Sequence, residues 1–107
     1  MGRKEIREVF GKGRRFESRG AKMFVLKNNL PYNRICFTFS KSKVWNAVSR
    51  NRAKRLGREA FRLMKNRVLG GYDLILLIFP VSMDRSESLS DRIAQLESLY
   101  KKAGLLK

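Results

Sequence analysis

The spacing of apolar residues changes repeatedly along this chain, and each change marks an element. Ile6, Val9 and Phe10 share one side of a short helix over Lys4 to Phe10, which Gly11 and Gly13 close. Arg14 to Arg19 reads as an edge strand ended by Gly20, and Met23 to Leu26 as a second strand. Asn28 to Asn33, with Pro31 inside it, is turn-rich. From Arg34 to Ser40 the period is two, with Ile35, Phe37 and Phe39 on one face and Cys36, Thr38 and Ser40 on the other. That alternation predicts a strand with one face on a core and a polar second face.

Residues 50 to about 68 carry the strongest helical pattern. Ala53, Leu56, Gly57, Ala60, Phe61 and Met64 fill one arc of the helical wheel. Asn51, Arg55, Arg58 and Arg62 fall within roughly 40° of the opposite pole. Gly70-Gly71 is expected to end this helix as its C-terminal cap. Tyr72 to Phe79 is an apolar run stopped by Pro80, as in a central strand buried on both faces. Ser88 to about Ala103 is a second amphipathic helix, with Leu89, Ile93, Leu96, Tyr100 and Ala103 on one stripe. Ser88 and Asp91 form a capping-box-like start. Helices packed on a sheet, α+β in class, account for this order, and 107 residues suit one domain spanning 1–107.

Charge adds a partner to that scaffold. The net charge is +16, and all of the excess lies in residues 1–67, since residues 68–107 are neutral. A one-sided excess of this size calls for a polyanion, with nucleic acid ahead of an anionic membrane surface. Ser49 to Arg62 carries five arginines and Lys54 against Glu59 alone, which is expected to pair with Arg55, Arg62 or both. Arginine's planar fork grips phosphates bidentately, and each neutralised phosphate releases counterions. Ser40-Lys41-Ser42-Lys43 forms a flexible basic loop leading into the helix, able to hold further phosphates. Phe10, Phe16 and Tyr32 lie near cations, where aromatics can stack on bases. Trp45 is expected to pack against the start of the basic helix.

Catalytic chemistry is sparse by contrast. With no histidine, neither histidine acid–base catalysis nor histidine metal ligation is available. The single cysteine, Cys36, excludes a Cys/His zinc site and an internal disulfide, and suits a reducing cytoplasm. No apolar run approaches the roughly 20 residues needed to cross a bilayer, and the charged opening Met1 to Glu5 is not followed by a secretory core. The expected location is cytoplasmic.

The run Asn46-Ala47-Val48-Ser49-Arg50-Asn51-Arg52-Ala53-Lys54-Arg55, continued by Arg58-Glu59-Ala60-Phe61-Arg62, resembles the Arg-Asn-Arg signature of the bacterial ribonuclease P protein component family. Val9-Phe10-Gly11-Lys12-Gly13, Met23 to Leu26, Ser40-Lys41 and Tyr72-Asp73-Leu74-Ile75 extend the resemblance over most of the chain. It implies an α-β-β-β-α-β-α sandwich with a left-handed βαβ crossover, ribonuclease P protein-like and akin to ribosomal protein domains. It also implies a subunit that binds the catalytic RNA of ribonuclease P and the 5′ leader of precursor tRNA. The RNA would then cut with magnesium, while the protein binds no cofactor tightly and needs no membrane or obligate protein partner. The signature helix and loop place RNA contacts on Lys41, Lys43, Asn46, Arg50, Asn51, Arg52, Lys54, Arg55, Arg58 and Arg62. The leader cleft falls on Ile6, Phe10, Val25, Lys27 and Thr38. Ile6 stands where the family commonly has an aromatic, and Trp45 where a glycine is frequent, in a loop one residue longer.

Three rival readings are weighed against this one. A basic ribosomal-type protein would bind ribosomal RNA without stimulating precursor-tRNA cleavage. A major-groove DNA reader would need a helix ahead of residues 50–67, and none is convincing there. A stand-alone nuclease would need acids or histidines that the composition lacks.

Overall fold

In the computed structural model, which describes residues 1–80 and 88–107, the chain forms three helices and four strands. In order these are α1 (Arg3–Lys12), β1 (Arg14–Ser18), β2 (Ala21–Lys27), β3 (Arg34–Phe39), α2 (Ala47–Met64), β4 (Tyr72–Ile78) and α3 (Leu89–Ala103). A turn of 3-10 helix, Lys65–Arg67, follows α2. The expected α-β-β-β-α-β-α order is observed.

The sheet order is β1-β2-β4-β3. Its apolar strand β4 lies inside, antiparallel to β2 and parallel to β3. That position explains its lack of alternation, because Leu74, Leu76 and Ile78 meet one layer and Ile75 the other, all fully buried. The larger core joins Ala21, Met23, Val25, Leu74, Leu76 and Ile78 to Ala53, Ala60 and Met64 of α2 and Leu96, Leu99 and Tyr100 of α3. The smaller core, on the opposite face, joins Val9 of α1 to Phe24 and Ile75, with Ile6, Leu26, Cys36 and Leu77 packed around it.

Backbone hydrogen bonds settle the hand of the β3–α2–β4 crossover. Ser40 N–H donates to the Ile78 carbonyl at 3.0 Å while Phe39 pairs with Ile78, so Ile78 turns its backbone polar groups toward β3. Its side chain points toward α2. For an L-residue seen with its side chain toward the viewer and its strand running upward, those groups point right. Hence β3 lies to the right of β4 with α2 in front, and the chain moves leftward through α2. The crossover is left-handed, against the usual right-handed rule.

Several boundaries differ from the sequence expectation, among them those of β2, which runs Ala21–Lys27 instead of Met23 to Leu26. α1 runs on through Gly11 to Lys12, and Gly13 N–H closes it on the Val9 carbonyl at 2.8 Å. α2 starts at Ala47 because Asn46 caps it. It ends at Met64, so Gly70-Gly71 is not its cap. Gly71 instead adopts φ 99° at the entrance to β4, where its carbonyl accepts from Asn28 N–H.

Candidate nucleic-acid interface

The basic face is built by a helix whose start and seating are both specified locally. Asn46 Oδ1 accepts from Ser49 N–H at 2.8 Å, and Ser49 Oγ accepts from Asn46 N–H at 3.0 Å, a reciprocal capping box. Downstream, Ala53, Gly57, Ala60 and Met64 are buried against the sheet. At Gly57 the helix backbone lies so close to β3 that an added Cβ would sit 2.5 Å from the Phe37 ring. This contact fixes the roll of α2, and therefore which side faces solvent.

That solvent side carries Asn51, Arg55, Arg58 and Arg62, all exposed. Val48, Asn51, Lys54, Arg55 and Arg58 line a shallow depression of about 450 Å³. Val48 is 76% exposed in its midst, so an apolar spot sits among cations. Arg50 and Arg52 are exposed on the flank, and half-buried Lys54 has its Nζ 6.0 Å from the Phe39 ring centroid. Arg62 pairs with Glu59 through two hydrogen bonds. These hold the Glu59 carboxyl below its ordinary range and raise the guanidinium. Of the two partners expected for Glu59, Arg62 is the one engaged.

Lys41 and Lys43 are exposed in the loop ahead of the helix. Trp45 anchors that loop, its ring edge-on to Phe39 with centroids 4.9 Å apart. Asn46 stands in the signature run, but its Oδ1 is taken up by the cap.

The second predicted group divides. Ile6 and Phe10 of α1 and Thr38 of β3 lie on the sheet face that α1 covers, beside Phe24, Leu26 and Cys36. Phe10 is 42% exposed and meets Phe24 edge-on at 4.8 Å. Val25 does not join them. It is 5% exposed in the larger core, on the opposite face. Lys27 follows Val25 in the alternation, exposed at the end of β2. The expected assignment is one residue out of step with the strand, and such a slip moves every side chain to the other face. Phe24 and Leu26 take those places. Lys22 shares a face with Phe24 and Leu26, and Lys27 shares one with Val25, so the sequence of β2 carries no signal that separates its two faces.

A family model described as Ribonuclease P matches residues 1–104. The chain belongs to this family. It is 37% identical over 103 residues to the ribonuclease P protein component of Clostridium botulinum strain Langeland, covering 95% of this chain and 90% of that one. A relative from Natranaerobius thermophilus is 47% identical over 73 residues, a match spanning 68% of this chain and 63% of that protein's length. Among solved structures, the Staphylococcus aureus RNase P protein superposes with a TM-score of 0.83 at 25% identity, covering 100% of this chain and 95% of the other. The Thermotoga maritima RNase P protein gives 0.79 at 25% identity, covering 94% and 92%.

Within this ribonuclease P protein fold, the exposed cations of α2 and the α1-covered face of the sheet lie on different sides of one small body. Among the described residues no group of three or more His, Cys, Asp or Glu is placed to hold a metal ion, and no helix is long and apolar enough to cross a membrane. Sequence reasoning missed Arg92 of the near-neutral α3, which is 1% exposed. Burial holds its guanidinium down to about 10, still charged at neutral pH, and Nη1 donates to Gln95 Oε1.

Proposed function

We propose that this chain is the protein subunit of ribonuclease P. It binds the catalytic RNA through α2 and the Lys41–Lys43 loop, and it contacts the 5′ leader of precursor tRNA across the α1-covered face. One observation carries the reading: Arg55 and Arg58 project from the side of α2 opposite its buried arc, beside Asn51 and with no acid between them. A cationic line on a rigid rod neutralises successive phosphates, and Asn51 supplies an uncharged donor and acceptor that sets register. Exposed Phe10, resting on buried Phe24, and half-buried Ile6 and Leu26 offer apolar and aromatic surface to unpaired bases of a leader.

In this role the polypeptide cuts nothing. It lacks histidine entirely, and its partner RNA supplies the hydrolytic chemistry with magnesium. The protein contributes affinity and orientation, in the cytoplasm.

Reconstitution with a bacterial ribonuclease P RNA at low magnesium tests this. Addition of the protein should raise the rate of precursor-tRNA cleavage and tighten substrate binding. A protein that binds the RNA yet leaves cleavage unchanged would fit a ribosomal-type binder and overturn the assignment.

A further inference from the structure

A cavity of about 440 Å³ opens beneath the C-terminal end of α2, away from the depression at Arg55 and Arg58. Its size falls within the usual range for ligand pockets, about 300–1,000 Å³. Buried Tyr100 and Val68 form its floor, while Tyr32, Lys65, Asn66 and Lys107 are exposed around its mouth. No carboxylate side chain lines it.

The walls are pinned. Asn33 bridges them, accepting from Tyr72 N–H at 2.8 Å and donating through Nδ2 to the Leu69 carbonyl at 2.9 Å. On the far side Leu69 N–H donates to the Leu105 carbonyl and Lys107 N–H to the Arg67 carbonyl, at 2.7 and 2.9 Å. A cavity held this way is organised before any ligand arrives, which lowers the cost of binding.

Tyr100 is the informative residue. It is 1% exposed and lines the cavity. A tyrosine there offers an apolar ring with a polar hydroxyl at its tip. Burial also pushes this phenol above its ordinary range, so it stays protonated and able to donate. It borders the cavity, where a ligand atom can accept from it.

We propose that this cavity is a second RNA subsite, which takes one unpaired nucleotide of the ribonuclease P RNA held by α2. Lys65 and Lys107 meet its phosphate, the exposed ring of Tyr32 meets its base, and Tyr100 donates to a base or ribose oxygen. The inference rests on the α2 reading above, and geometry links the two. Lys65 follows Arg58 by seven residues, so it lies on the same line of the helix within about 20° and about 10 Å further along. A strand crossing Arg55 and Arg58 therefore reaches the mouth of the cavity. A paired base cannot enter such a space, whereas an unpaired one can be splayed into it.

Filter binding of a bacterial ribonuclease P RNA transcript over a series of salt concentrations tests the subsite, with Tyr100→Phe, Lys65→Gln and Arg58→Ala compared with wild type. Tyr100→Phe removes only the hydroxyl. It should weaken binding about three- to tenfold, with the salt slope and the melting temperature unchanged. Lys65→Gln should flatten the slope by about one. If Arg58→Ala weakens binding while Tyr100→Phe and Lys65→Gln bind as wild type does, the subsite is overturned and the α2 interface stands. If all three bind as wild type, both fall. A Tyr100→Phe loss that comes with a lower melting temperature marks a structural role and also overturns the subsite.

Discussion

Arg34 and Asp73 face each other in register across the parallel strands β3 and β4 and form two hydrogen bonds, each 2.7 Å long. Asn28 Nδ2 adds a third to the same carboxylate at 2.9 Å, tying the turn after β2 into the pair. Parallel strands have no hairpin to set their register, so this forked contact and the crossover helix do it together.

Burial raises the Asp73 pKa, but the hydrogen bonds from Arg34 and Asn28 outweigh it, so the carboxyl ends below its ordinary range. A carboxyl depressed in the folded state adds stability that is complete above its unfolded pKa, about 3.9, and is lost as pH falls through the folded value. Asp73→Asn should therefore melt at a lower temperature than wild type at pH 7, with the gap closing below about pH 4. Equal melting temperatures at pH 7 would remove the pair from the stability of the sheet.

Gly57→Ala tests the seating of α2. Alanine favours helix by about 1 kcal/mol over glycine, but its Cβ would meet Phe37 at 2.5 Å. Overpacking costs about 1–3 kcal/mol, so the variant should lose stability in urea unfolding despite the better helix former. Adding Phe37→Leu should recover part of the loss, a non-additivity expected of residues in contact. A stabilised single variant would show that the ring is not held against the helix.

Asn46 lies within the signature run yet acts as a cap. Asn46→Ala should cost about 1 kcal/mol of stability. Asn46→Ser, which can also cap, should keep both stability and RNA affinity. Lost affinity in the serine variant, measured by filter binding, would assign Asn46 a direct RNA contact instead.

Arg58 and Arg62 are both exposed, but only Arg62 is tied to an acid in the recorded ion pairs of this face. Arg58→Ala should flatten the dependence of log K on log salt by about one. Glu59→Gln, which frees Arg62 for phosphate, should tighten binding and steepen that slope. Weaker binding by Glu59→Gln would show that the ion pair itself positions the helix for RNA.

How much of this was legible in the residues varied with how strongly each pattern was constrained. The alternation of Ile35, Phe37 and Phe39 marked the face of β3 that meets the larger core, although its second face, with Cys36, packs on the α1 side instead of staying polar. The unbroken apolar run of β4 predicted a central strand, because burial on both faces removes the period. The polar arc of α2 could be drawn on a wheel, since 3.6 residues per turn is a property of the backbone. Met23 to Leu26 is apolar at every position, so no period told its two faces apart. Val25 was placed with α1 when Phe24 and Leu26 belong there.

The chain alone determined its cationic excess, its lack of histidine, the order of its elements and the sides of its best helix, all consequences of local spacing and side-chain chemistry. Folding decided the left-handed passage through α2, the roll that contact with Phe37 imposes at Gly57, the burial of Arg92, and the cavity that Tyr100, Lys65 and Lys107 line together. Each of these joins residues far apart in the chain, and such contacts depend on which surfaces remain to be buried once the sheet has closed.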